Sequence, residues 1–204
     1  MSTINYFKKY SVYALLAVGI LFTGCKKDED DPAPENELEV ITDVKLIFTN
    51  TSDATDIVTA RAQDADGPGV GELAVLDPIT LGVGKTYTLT YEIFNNLETP
   101  GENIGDEIKE EDDEHQFFFS FSDNAFSNPM GNGNIDNASD PINYNDTDGT
   151  NPVGLMTTWT TSTTQLTGGT FTVRLQHQPG VKTATSGATD GDTDFNLQFV
   201  LNIQ

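Results

Sequence analysis

From Glu39 onward, hydrophobic residues recur at every second position in short segments separated by Gly, Asp, Asn and Thr. A period of two places successive side chains on opposite faces, which is typical of a β-strand with one buried face. The segments with this pattern are 40–48, 57–62, 87–93, 117–121, 153–160, 171–175 and 195–203, with 79–81 as a short addition.

This pattern predicts an all-β domain over residues 39–204, an antiparallel immunoglobulin-like β-sandwich of about seven or eight strands. A closed barrel would bury the same alternating faces and stays open as the alternative. Only residues 104–112 have helical spacing, since Ile104 and Ile108 are four positions apart.

The amino terminus has the layout of a cleaved export signal. Lys8 and Lys9 precede an apolar run at 12–22, which is well short of the roughly 20 residues that a membrane-spanning helix needs. Small residues then precede Cys25, the only cysteine, in an order that resembles a bacterial lipobox with its aliphatic residue displaced by one. We therefore expect residues 1–24 to be a signal peptide and Cys25 to carry a lipid. A plain secretory signal before an unpaired cysteine is the alternative.

Residues 25–38 predict a solvated tether between the lipid and the domain. The stretch is rich in Asp, Glu and Pro and has almost nothing to bury. A cysteine followed by lysines and consecutive acids also resembles the surface-export signal of Bacteroidetes lipoproteins. That resemblance implies the outer face of the outer membrane, with the periplasmic face as the alternative.

The chain is strongly acidic, with a net charge of −22. The negative electrostatic potential of such a chain repels nucleic acid and attracts cations. Because a lipidated Cys25 leaves no thiol for a disulfide, the core must hold the fold together, with bound metal as one further source of stability.

Two connections are too long for simple hairpins. Residues 95–114 contain nine acids against one lysine, and residues 122–152 are dominated by Asn, Asp, Gly and Ser. Long connections of this kind inside a domain are usually functional or disordered. We therefore expect any binding site to lie in them.

Three stretches place aspartates two apart beside glycine, at 64–67, 146–149 and 190–194. Alternate carboxylates in a turn can converge on calcium, which takes oxygen ligands. The most favourable set is Asn145, Asp146, Asp148 and Asn151. Ordinary turns use the same residues and remain the alternative.

The two histidines predict a more specific site. His115 begins the segment that contains Phe117, and His177 ends the segment that contains Leu175. If those strands are antiparallel neighbours, the imidazoles meet at one rim of the sandwich. Together with the nearby acids Glu111, Asp113 and Glu114 they would offer zinc or copper ligands. Two hydrogen-bonded, inert rim histidines are the alternative.

The sequence has no recognisable catalytic motif, and we expect no enzyme. It contains neither Gly-x-Ser-x-Gly nor His-Glu-x-x-His. Sugar binding through aromatic residues is an alternative, although the candidates fall mostly on strand positions expected to be buried: Tyr87, Tyr91, Tyr144 and Trp159.

The segments EEDDEHQFFF at 110–119 and VRLQHQPGVK at 173–182, with the terminal strand at 194–203, resemble a family of small Bacteroidetes lipoproteins. Some members carry a label that refers to a type 1 periplasmic-binding fold. The period-two pattern argues against that label, because such a fold alternates helices with parallel strands. Genes of this family often lie near TonB-dependent outer-membrane receptors.

By that resemblance, we expect a lipid-anchored surface protein that assists uptake of a scarce nutrient, with a transition metal as one candidate and a TonB-dependent receptor as its partner. The competing hypothesis is a structural or adhesive surface module whose aspartate loops are stiffened by calcium.

Overall fold

The computed structural model describes residues 39–64, 72–97, 99–130 and 141–204. These residues form two β-sheets and one short helix. The predicted signal peptide, Cys25 and the tether lie outside the described residues, as do Asp66 and Gly67. Within the described ranges, no helix has the length and apolar character needed to span a membrane.

The first sheet has six strands in the order β3-β2-β1-β5-β8-β7, all paired antiparallel. Its strands are β1 (Asp43–Asn50), β2 (Ile57–Gln63), β3 (Ala74–Val75), β5 (Thr86–Phe94), β7 (Phe126–Asn128) and β8 (Thr157–Thr161). The alternation explains which face is buried: in β1, Val44, Leu46 and Phe48 are buried and the residues between them are half-exposed.

The second sheet has four strands in the order β4-β10-β9-β6. Its strands are β4 (Ile79–Leu81), β6 (His115–Phe121), β9 (Leu166–His177) and β10 (Asp192–Ile203). The β6–β9 and β9–β10 pairs are antiparallel, whereas β4 pairs parallel with β10. Two separate sheets confirm the predicted all-β sandwich in preference to the barrel.

The core lies between the sheets and is centred on Trp159. Its indole is fully buried, and its ring centroid lies 4.8 to 5.6 Å from those of Phe119, Phe121, Phe126 and Phe171. Tyr87 is also buried. These positions therefore supply packing, and the sugar-binding alternative loses two of its four aromatic residues.

Some boundaries differ from the prediction. The short strand predicted at 79–81 is found as β4. The two additional strands, β3 and β7, have only two and three residues, too few for a periodic pattern to be recognised. The first strand begins at Asp43 instead of Val40. The helix α1 (Ile104–Glu110) is found where helical spacing predicted it, with Ile104 and Ile108 buried, but it ends two residues earlier.

The largest difference concerns residues 153–156, which were predicted to belong to a strand. They lie against the free edge of β6 instead: Phe117 N donates to Val153 O at 2.7 Å, and Tyr144 Oη donates to Phe117 O at 2.7 Å. Gly154 has φ of +100°, and a Cβ there would lie 2.8 Å from Phe117 Cβ. The long second connection thus covers an exposed sheet edge, which stabilises the sandwich.

Candidate metal site

The two histidines face each other across the β6–β9 pair. His115 is the direct cross-strand partner of His177. Their rings stack with centroids 4.5 Å apart and planes only 2° from parallel, and both side chains are almost completely buried. The predicted juxtaposition follows from the antiparallel register, which brings the first residue of one strand beside the last residue of the other.

The proton position on His115 follows from its hydrogen bond. Nδ1 lies 3.1 Å from the backbone oxygen of Glu111, at the end of α1. Because a carbonyl oxygen only accepts, Nδ1 carries the proton and Nε2 of the neutral ring keeps its lone pair. Metal-binding histidines are commonly oriented by such a bond to a carbonyl.

Burial keeps that ring neutral. Desolvation lowers the pKa of His115 to about 4; the hydrogen bond to Glu111 opposes that shift, and the charges of His177 and Lys182 add to it. Nε2 has no hydrogen-bond partner among the described residues. At neutral pH, His115 therefore presents an unprotonated, unpartnered nitrogen, which is the form a metal ion requires.

The ring of His177 contacts a carboxylate instead of a backbone carbonyl. Its Nε2 lies 3.4 Å from Glu114 Oε2, while its buried Nδ1 has no partner within the described part of the chain. One ligand atom from each of Glu111, His115 and His177 lies within 4.8 Å of the other two. A tetrahedral zinc ion holds its ligand atoms about 3.4 Å apart, so binding would require the three side chains to move closer and the stacked rings to turn towards a common point.

The predicted acids differ in their positions. Glu111 is exposed at the outer side of the histidine pair, and Glu114 contacts His177 directly. Asp113 is exposed and acts on His115 through its charge; it also lines a neighbouring cavity of about 490 Å³ with Glu114 and Lys182. The structure thus supports Glu111 and Glu114 as members of the site more directly than Asp113.

Asp194 adjoins this site, although the sequence placed it in an aspartate-rich turn and at the start of the terminal strand. Its Oδ2 lies 3.9 Å from His115 Nε2, and both side chains are fully buried. Burial, more than any neighbouring charge, raises the pKa of Asp194 to about 6. We use the term histidine rim for Glu111, Glu114, His115, His177 and Asp194.

A second group of carboxyls borders the histidine rim. The carboxyl groups of Glu39, Glu102 and Glu107 lie close enough to affect the pKa of Glu107. Burial, followed by the charges of Glu39 and Glu102, raises the pKa of Glu107 to about 7. This end of the sandwich therefore concentrates carboxyl groups, an arrangement that attracts positive ions.

The proposed calcium ligands lie elsewhere and have other partners. We use the term aspartate loop for residues 145–151. Asp146 accepts backbone N–H bonds from Gly154, Leu155 and Met156 at 2.8 to 3.2 Å. Asn145 is occupied in bonds between its side chain and Thr158 at 3.0 and 3.1 Å.

Asp148 is similarly engaged. It accepts backbone N–H bonds from Thr150 and Asn151 and lies 3.2 Å from Nζ of Lys182, whose side chain is almost fully buried. Burial opposes ionisation, but those N–H donors and Lys182 together lower the pKa of Asp148. Calcium requires about six to eight oxygen ligands. The calcium site remains a prediction, and these contacts favour the ordinary-turn alternative.

Of the two other aspartate stretches, only 190–194 is described in full. Asp64 is buried at the end of β2, but the rest of its stretch lies outside the described residues. Asp190 accepts the backbone N–H of Gly187 at 2.7 Å and thereby closes the turn before β10.

Comparison with known proteins adds no relative: no protein-family model, no curated protein and no solved structure matches this chain.

Proposed function

We propose that this chain is a lipid-anchored, non-enzymatic binding protein that captures a divalent transition-metal ion at the histidine rim, outside the cytoplasm. The observation that carries the proposal is the pairing of His115 and His177, with one unpartnered, buried ring nitrogen on each. A buried polar atom without a partner costs about 1–3 kcal/mol, so a ligand that satisfies both atoms would offset that cost.

The donor chemistry supports a transition metal. Neutral imidazole nitrogen combined with carboxylate oxygen suits zinc and copper, whereas calcium prefers oxygen alone. Glu111 is exposed beside the buried histidines, so a hydrated ion can meet a carboxylate before it reaches the imidazoles. The net charge of −22 would raise the local concentration of cations around this entrance.

The anchor and the partner complete the proposal. A lipid on Cys25 and an acidic tether would hold the domain at the outer membrane, on the cell surface or on its periplasmic face. The captured ion would then pass to a TonB-dependent receptor. Lipid labelling that is lost in Cys25→Ser would support the anchor, and co-purification with such a receptor would support the partner.

Calorimetric titration tests the capture step. The protein is residues 25–204 with Cys25→Ser, so that no thiol competes for the ion, and it is stripped of metal and titrated with zinc, copper and calcium. We expect submicromolar affinity for zinc or copper and none comparable for calcium. His115→Gln and His177→Gln should each weaken that affinity by about 100-fold or more, because each removes a ligand.

Glu110→Gln is the matched control, because it removes a negative charge from the same helix at an exposed position outside the histidine rim. It should bind metal like the unmodified protein. Urea unfolding of each metal-free variant establishes that the domain is folded. Absence of zinc and copper binding in the unmodified, folded protein would refute the proposal.

A further inference from the structure

Asp194 is aimed into the histidine rim by an irregularity in β10. Thr193 pairs with Gln176 and Phe195 pairs with the adjacent Leu175, so Asp194 is an extra residue without a cross-strand partner. Regular alternation would turn Asp194 away from the face that contains Phe195. A β-bulge instead redirects the side chain of the extra residue, and bulges are frequent beside functional sites for that reason.

The bulge places two unsatisfied atoms opposite each other. Asp194 Oδ2 and His115 Nε2 are both buried and both lack a hydrogen-bond partner among the described residues. They are 3.9 Å apart, too far for a direct hydrogen bond. An ionised carboxylate and a neutral imidazole nitrogen would present two lone pairs to each other, an arrangement that only a shared proton or a cation stabilises.

The side chains of Asp194 and His115 are also oriented by hydrogen bonds to the backbone. The backbone N–H of Glu39 donates to Asp194 Oδ1 at 3.3 Å, and the carbonyl of Glu111 accepts from His115 Nδ1. Asp194 Oδ1 and His115 Nδ1 thus make the hydrogen bonds that orient the two side chains. Asp194 Oδ2 and His115 Nε2, the atoms that face each other, stay without a partner among the described residues. Ligands of a metal ion are commonly fixed by outer hydrogen bonds of this kind.

We infer that Asp194 is a third protein ligand of the captured ion, so that the site combines two imidazoles with a buried carboxylate and selects a zinc-like divalent ion. This inference rests on the proposed function and specifies its ligand. Asp194 closes the inner side of the site, and Glu111 supplies a carboxylate at the outer side. Such a mixed set favours borderline ions such as Zn²⁺ and Co²⁺ over soft Cu⁺ and over Ca²⁺.

The test compares Asp194→Asn with Asp192→Asn, both in residues 25–204 carrying Cys25→Ser. Asp192 lies in the same strand, two residues earlier, and its position is exposed. We expect Asp194→Asn to raise the zinc dissociation constant by about 100-fold, because an amide is a much weaker ligand than a carboxylate. Asp192→Asn should leave it within about twofold.

Cobalt supplies a second readout. Bound Co²⁺ in the unmodified protein should give the intense visible absorption of a four-coordinate ion, and Asp194→Asn should change its position and intensity. Urea unfolding of the metal-free variants verifies the fold, and Asp194→Ser replaces Asp194→Asn if the latter is unfolded.

The outcomes separate the two proposals. Unchanged zinc affinity and an unchanged cobalt spectrum in Asp194→Asn, with binding still lost in His115→Gln, would overturn the role of Asp194 and leave metal capture intact. Absence of zinc binding in the unmodified protein would overturn both. A preference for Cu⁺ over Zn²⁺ would overturn the assigned ion class.

Discussion

The histidine rim and the aspartate loop are both rich in carboxylates, yet their polar atoms differ in one decisive respect. In the aspartate loop, Asp146 and Asp148 receive backbone N–H donors, and Asp148 also contacts Lys182. In the histidine rim, His115, His177 and Asp194 each keep a buried atom without a partner. The first region has completed its hydrogen bonding within the described residues, whereas the second has not.

The comparison shows that acid content alone does not identify a cation site. An aspartate beside glycine is a good acceptor for nearby backbone N–H groups. In a turn those groups are within reach of the carboxylate and can occupy it in place of an ion. At the end of a sandwich, by contrast, side chains from different strands meet without backbone donors between them. Unsatisfied buried atoms are therefore the better indicator of a ligand.

The largest expected effect comes from the turn that supports the histidine rim. Gly191 has φ of +76°, and a Cβ at this position would overlap the backbone oxygen of His177. We expect Gly191→Ala to lower the free energy of unfolding by about 3–5 kcal/mol and to weaken zinc binding, because His177 must shift. Urea unfolding and calorimetry measure the two effects.

Gly180→Ala is the control for backbone strain. Gly180 also has positive φ, at +68°, but a Cβ there meets no atom within 4 Å. It should cost only about 1 kcal/mol and leave zinc affinity unchanged. Equal effects of the two substitutions would show that the contact with His177 is unimportant.

A somewhat smaller effect is expected in the aspartate loop. Asp146→Ala leaves three backbone N–H groups without their carboxylate acceptor and should lower the free energy of unfolding by about 2–4 kcal/mol. Zinc affinity should not change, because the loop is not part of the histidine rim. Exposed Asp53, whose side chain accepts from Thr55, is the matched control and should matter much less when changed to alanine. Loss of calcium binding in Asp146→Ala would contradict our interpretation of the loop.

Thermal unfolding in the presence of zinc or of calcium distinguishes metal binding at the histidine rim from metal binding at the aspartate loop. A ligand present at 100 times its dissociation constant stabilises the native state by about 2.7 kcal/mol, which is about 5–10 °C for a domain of this size. We expect such a shift with zinc and none with calcium. A comparable shift with calcium would revive the structural module with a stiffened loop.

The smallest effect concerns the carboxyls beside the histidine rim. The pKa of Glu107 is raised to about 7, so its contribution to stability is present at low pH and is lost as pH rises through 7. Glu107→Gln should therefore be more stable than the unmodified protein at pH 8. The gap, which is the difference between the two free energies of unfolding, should narrow towards pH 5. Urea unfolding of the metal-free proteins across this range measures the gap.

Glu110→Gln is again the control, because Glu110 is an exposed carboxyl of the same helix. It should give no pH-dependent gap. A gap of equal size in both variants would indicate a general charge effect and not the burial of Glu107 and the charges beside it.

Much of the fold could be predicted because burial of one face of a segment produces a periodic pattern of hydrophobic residues in the sequence. The alternation around Phe117, Phe171 and Phe199 indicated strands, and the spacing of Ile104 and Ile108 indicated the only helix of the described residues. Residues 153–156 misled the prediction because they pack against the edge of β6, where hydrogen bonding to one strand replaces sheet membership. The strands β3 and β7 were missed because two or three residues are too few to leave a periodic signal.

The candidate site was predicted in part. His115 and His177 could be paired because each stands at the end of a recognisable strand on its buried face. Asp194 could not be assigned to them, because a bulge reverses the orientation that alternation gives it. The calcium site in the aspartate loop stays a prediction, and the sequence does not show that backbone N–H groups of residues 154–156 donate to Asp146.

The sequence by itself determined the all-β class, the buried faces, the short helix and the strand ends at which the two histidines stand. It did so because hydrophobic burial acts on each segment separately and follows the local period. The tertiary structure alone decided that the two rings stack, that Asp194 faces His115 and that the carboxylates of the aspartate loop receive donors from residues 150–156 and Lys182. Those outcomes depend on register, on one extra residue in β10 and on the path of a long connection, which arise only when distant segments meet.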